Sequence, residues 1–84
     1  MQRLILNDGT IIENGDAGYA SGTLCLWIPG TIADVAAICT NPAKMSCVTL
    51  QTDYETETYD GYTECRSLSV NYDGVVSVCM EKGV

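Results

Sequence analysis

The chain has 84 residues, 46% hydrophobic and 18% charged, which suits one folded domain over 1–84 and excludes a disordered tail. Four Lys and Arg against eleven Asp and Glu give a net charge of −7. That argues against direct binding to duplex DNA or an anionic membrane, where cations supply most of the affinity. The sequence has no histidine, so the usual general base, proton shuttle and metal ligand are missing. Its longest apolar run, 24–28, is too short for a membrane helix. The first eight residues, with one cation and three apolar side chains before Asn7-Asp8, do not read as a signal peptide.

In chain order, residues 4–6 and 10–12 flank Asn7-Asp8-Gly9 and predict a hairpin. Residues 15–22, with three glycines, read as a loop whose backbone amides could approach a phosphate. The Gly-Lys-Ser/Thr ending of a P-loop is missing, and a strand rather than a helix follows. That strand, 23–28, ends at Pro29-Gly30. It is apolar throughout and reads as buried on both sides. Leu24, Leu26 and Ile28 share one face and Cys25 and Trp27 the other. Were one face exposed, it would be the latter, with Trp27 as an interface anchor for a homo-oligomer.

Thr31 is a good N-cap with Asp34 three residues on, and Ile32, Val35, Ala36 and Cys39 follow helical spacing. One short helix near 31–41 is predicted, stopped by Asn41-Pro42. Residues 46–52 alternate as a strand, with a further edge strand over 56–59. A last hairpin turns at Tyr72-Asp73-Gly74. A three-residue loop there pairs Val70 with Val76, Leu68 with Val78 and Arg66 with Met80, which keeps the apolar set on one face. Ser67, Ser69, Asn71, Ser77 and Cys79 then share the opposite face. The expected fold is α+β: a mainly antiparallel β-sheet or curled barrel of about five to seven strands with one covering helix.

The densest functional signal is the segment 53–64. It holds Asp53, Glu55, Glu57, Asp60 and Glu64 with Tyr54, Tyr59 and Tyr62, and no cation. Read as a strand, it places Asp53, Glu55 and Glu57 on one face and Tyr54, Thr56 and Thr58 on the other. This is either an acidic docking surface, for a basic partner or as a nucleic-acid mimic, or a solvated edge whose like charges prevent aggregation. An EF-hand is excluded by the missing mid-loop glycine and terminal glutamate. The candidate partner-binding residues are Asp53, Glu55, Glu57, Asp60, Tyr59, Tyr62 and Trp27. No nucleophile–base pair can be nominated, so no enzyme activity and no cofactor are expected.

The five cysteines form no C-x-x-C pair and lie in apolar stretches. They read as reduced packing thiols rather than a zinc site or a disulfide framework, which places the chain in a reducing cytoplasm.

Leu-Asn-Asp-Gly-Thr at 6–10, Leu-Trp-Ile-Pro at 26–29, Asn-Pro-Ala-Lys at 41–44 and Tyr-Asp-Gly-Tyr-Thr at 59–63 are read together with the hairpin running to Met80-Glu81-Lys82. As a set they resemble short, uncharacterised bacteriophage and prophage proteins of Firmicutes such as Clostridia. The resemblance spans nearly the whole chain and includes no catalytic signature. It implies a phage-encoded accessory protein acting in the cytoplasm of the bacterial host. Two functions are expected from it. One is sequestration of a host-defence component, either a protein with a nucleic-acid groove or a small nucleotide signal. The other is a virion or tail-assembly role through sheet edges and Trp27.

Overall fold

A computed structural model describes residues 2–83. Eight strands and two short helices follow in the order β1 (Arg3–Leu6), β2 (Ile11–Glu13), β3 (Asp16–Ala20), β4 (Thr23–Pro29), α1 (Ile32–Cys39), α2 (Pro42–Met45), β5 (Cys47–Gln51), β6 (Thr56–Asp60), β7 (Glu64–Val70) and β8 (Val75–Glu81). They form two four-stranded sheets, ordered β2-β1-β5-β6 and β3-β4-β8-β7, with every pairing antiparallel. The antiparallel β character and a helix over 32–39 agree with expectation. The sheets do not close into a barrel, the strands number eight, and a second helix follows the first.

One core lies between the sheets. Leu4, Leu6, Val48 and Leu50 enter it from the first sheet, and Leu24, Leu26, Ile28, Val76, Val78 and Met80 from the second. Strict alternation puts these residues on one face of each strand. Helix α1 packs on β7 and contributes Val35 and Cys39, while α2 packs on β5 and contributes Met45. Strand β4 is therefore buried on one face only. Its other face carries Cys25 and a Trp27 that is 37% exposed. The indole lies over β3, its ring 3.4 Å from where a Cβ on Gly18 would stand.

Both Asp-Gly hairpins are built alike. In the first, Leu6 N–H donates to Thr10 O and Gly9 N–H to Leu6 O; in the second, Asn71 N–H donates to Val75 O and Gly74 N–H to Asn71 O. Asp8 Oδ1 accepts from Thr10 N–H at 3.0 Å, and Asp73 Oδ1 from Val75 N–H at 3.1 Å. Each three-residue loop ends on a glycine at positive φ, +89° at Gly9 and +81° at Gly74. Val70 pairs with Val76 and Leu68 with Val78, as the parity of the apolar residues requires. Further along, a bulge between Cys65 and Ser67 makes Cys65, not Arg66, the partner of Met80. Arg66 is thereby turned to solvent, where it pairs with Glu64 at 2.9 Å and Glu81 at 3.0 Å.

Thr31 caps α1, its Oγ1 accepting from Asp34 N–H at 3.2 Å. Asn41 does not simply end the helix. Its Oδ1 accepts from Ala43 N–H and caps α2, with Pro42 in the first turn, where its missing N–H costs nothing. The first hairpin docks there: Asn7 bonds Ala43 and Lys44 backbone carbonyls, and Lys44 Nζ bonds Asp8 at 2.6 Å and Thr10 at 3.1 Å.

The glycine-rich stretch 15–22 is a strand and a turn rather than an open loop. Ala20 pairs with Thr23 around Ser21-Gly22, both at positive φ as in a type I′ hairpin. As β3 is an edge strand, alternate main-chain amides pair with β4, and the stretch is a hairpin rather than the open glycine loop considered as a phosphate cradle.

Candidate functional site

Where the β3 edge of one sheet approaches the β6 edge of the other, the molecule opens into a cleft of about 540 Å³. Ala17, Gly18 and Tyr19 form one wall, Glu55, Glu57 and Tyr59 the other, with Leu50 and Tyr62 completing the lining. Its position follows from strand phase. Glu57 stands opposite Leu50 and Tyr59 opposite Val48, so both point to the inward side of β6. At an edge strand the inward side is wet, and a carboxylate is tolerated there.

Glu55 is held by a turn. Thr52 Oγ1 accepts from the N–H groups of Tyr54 and Glu55, at 3.2 and 3.1 Å, and Thr52 N–H donates to Glu55 O at 2.9 Å. That turn corrects the reading of Asp53–Glu57 as one continuous strand. Asp53 and Tyr54 lie in the turn, and Tyr54 is fully exposed. Glu57 shares its face with Tyr59 rather than with Asp53.

Tyr59 hydroxyl donates to Glu57 Oε2 at 2.5 Å. This hydrogen bond, with partial burial and the nearby charges of Glu57, Glu55 and Asp16, pushes the phenol up to about 12. Tyr62, nearly buried, meets Tyr19 edge to face at 5.9 Å between centroids, while Lys82 Nζ sits 5.4 Å from its ring centre. The Tyr19 hydroxyl raises the Tyr62 phenol, with burial adding to it.

Of the residues singled out in the sequence, Glu55, Glu57, Tyr59 and Tyr62 converge on this cleft. Asp60 does not. It stands on the outward face of β6 opposite Cys47, whose thiol it pushes up chiefly through a hydrogen bond. Trp27 belongs to the outer face of the second sheet and does not line the cleft. Ala17 and Tyr19 escape a reading of 15–22 as a loop, and Leu50, on a strand the sequence does predict, joins the lining only because β6 pairs beside it. Ser21-Gly22, a turn signal just before the strand 23–28, was the clue to a hairpin there.

Three of the four cations are engaged away from the cleft lining, and the fourth, Lys82, lies over the ring of the lining residue Tyr62. Arg3 donates to Gln51, Lys44 to Asp8 and Thr10, and Arg66 to Glu64 and Glu81. No basic side chain lines the cleft among the described residues. No group of three or more Cys, Asp or Glu side chains among them is placed to hold a metal ion, and no described helix is long and apolar enough to cross a membrane. No known protein family, curated protein or solved structure matches this chain.

Proposed function

We propose that this protein is a non-enzymatic binding module that captures a basic partner by taking a cationic side chain into the cleft between β3 and β6. The observation that carries this reading is the pairing of Glu55 and Glu57 with the rings of Tyr19 and Tyr59 in a cleft with no basic side chain among its described lining residues, Lys82 lying over the Tyr62 ring. Carboxylates supply Coulombic attraction, and aromatic faces add cation–π stabilisation of about 0.5–2 kcal/mol for a guanidinium or ammonium group. The net charge of −7 steers such a partner from a distance. Together with the phage resemblance, this favours sequestration of a host-defence protein with a nucleic-acid groove, whose basic surface would meet the acidic cleft.

A nucleotide signal is the weaker ligand, because its phosphates would face two glutamates and no basic side chain among the described lining residues. Assembly through sheet edges is weaker too, since the Arg66 bulge and the charges around it blunt the β7 edge. Calorimetric titration with a hexa-arginine peptide, and separately with ATP, tests the reading. The peptide should bind, more weakly as salt rises, and ATP should not. Binding of ATP in preference to the peptide would overturn it.

A further inference from the structure

Cys25 and Cys79 are direct partners across the two central strands of the second sheet, β4 and β8. Two main-chain bonds set the phase of this pairing. Asn71 N–H to Val75 O at 2.9 Å turns the main-chain groups of Val75, and so of Ser77, toward β7. Gly30 N–H to Gly74 O at 3.0 Å continues the even-numbered series of β8 toward β4. Val76 and Val78 therefore exchange hydrogen bonds with Ile28 and Leu26, and Cys25–Cys79 is a non-hydrogen-bonded pair. Side chains approach most closely at such positions, with Cα atoms roughly 4.5 Å apart. That lies at the short end of the roughly 4.4–6.8 Å that disulfides span.

Both side chains point away from the core, and both thiols are free and only partly buried. The cross-strand row containing them reads Gly18, Cys25, Cys79, Ser67, with the Trp27 ring over Gly18 on the Cys25 side and only a serine beside Cys79. The other three cysteines lack this arrangement. Cys39 is buried in the core, Cys65 is opposite Met80, and Cys47 is opposite Asp60.

From this geometry we propose that Cys25 and Cys79 form a solvent-facing vicinal dithiol that closes reversibly to a cross-strand disulfide by exchange with a small-molecule disulfide. One thiol, as its thiolate, attacks the small disulfide and expels one small thiol, leaving a mixed disulfide on the protein. The second cysteine thiolate attacks that protein sulfur and expels the other small thiol. In sum, two protein thiols and one small disulfide become one protein disulfide and two small thiols, and the two protons leave on the small thiols. The short span makes the bond strained and easily reduced, the property of a labile rather than a structural disulfide. Burial and the neighbouring Cys79 hold the Cys25 thiol up, so exchange accelerates as pH rises toward the thiol range.

Incubation of the native, fully reduced protein with oxidised glutathione, followed by intact-mass analysis and peptide mapping, provides the test. The expected product has lost two hydrogens, carries its crosslink between Cys25 and Cys79, and reverts with dithiothreitol. Cys25→Ser and Cys79→Ser should each stop at the mixed disulfide, gaining one glutathione. Phenylarsine oxide, which bridges vicinal dithiols, should bind the untreated protein one to one and bind neither variant. The proposal is overturned if the wild-type protein accumulates only mixed disulfides, if it retains all five thiols, or if the crosslink joins any other pair.

Discussion

Glu57 and Tyr59 stand two residues apart on the inward side of β6, and the Tyr59 hydroxyl donates to Glu57 Oε2 at 2.5 Å. This contact sets the direction of both groups at the cleft wall. It keeps the phenol protonated and holds the carboxylate beside an aromatic ring, where a guanidinium or ammonium group could meet both.

Tyr59 should therefore ionise late. Its midpoint is raised to about 12 from an ordinary 10.0. Because the folded value exceeds the unfolded one, the associated stability is complete below pH 10 and is lost as pH rises from 10 toward 12. NMR titration of ring-labelled tyrosine should show one late step near 12 that Tyr59→Phe removes and Glu57→Gln moves back toward 10. A Tyr59 midpoint near 10 in the wild-type protein would mean the contact is absent in solution.

Gly74 at φ +81° has no heavy atom within 4 Å of a Cβ built on it. Replacement by valine thus meets no steric obstacle from neighbouring groups, only the backbone cost of a β-branched residue in the left-handed region. The expected loss is about 1–2 kcal/mol in urea denaturation, with Gly74→Asn costing less. Equal stability of the valine variant and wild type would contradict the loop geometry.

The cysteines should differ sharply in reactivity. Burial, with nearby Cys65 adding to it, pushes the Cys39 thiol up to about 12, so it should be the last to react with Ellman's reagent in the native protein. Cys47 is held protonated mainly by its hydrogen bond to Asp60. Asp60→Asn should lower that thiol and speed its alkylation at neutral pH, measured by peptide mapping against time. An unchanged Cys47 rate would show that the two side chains do not interact.

How far the sequence could be read follows from parity. In the last hairpin, Leu68, Val70, Val76 and Val78 admit one register that keeps them together, so loop length and pairing were legible near the turn. Arg66 broke the count because a bulge leaves no mark in the alternation of a strand that already mixes polar and apolar residues. Thr31, Asp34 and the 3.6-residue apolar spacing announced α1, whereas Asn41-Pro42, a helix stop in sequence, also starts α2. The acidity of 53–64 was plain, but not its division. Only the pairing of β6 with β5 sends Glu57 inward and Asp60 outward, and Thr52 removes Asp53 from the strand. The opposite wall stayed hidden because Gly15, Gly18 and Gly22 outweighed the alternation of Ala17 and Tyr19.

Stopped-flow association of a fluorescently labelled hexa-arginine peptide measures directly which acids meet the partner. Glu55→Gln with Glu57→Gln, neutralising the cleft wall, should slow association and flatten its dependence on salt between about 50 and 500 mM. Asp60→Asn, on the outward face, should leave the rate within about twofold of wild type, because it removes one distant charge of the field without touching the cleft. Equal slowing by Asp60→Asn and by the double variant, or no slowing by either, would contradict the cleft as the binding site.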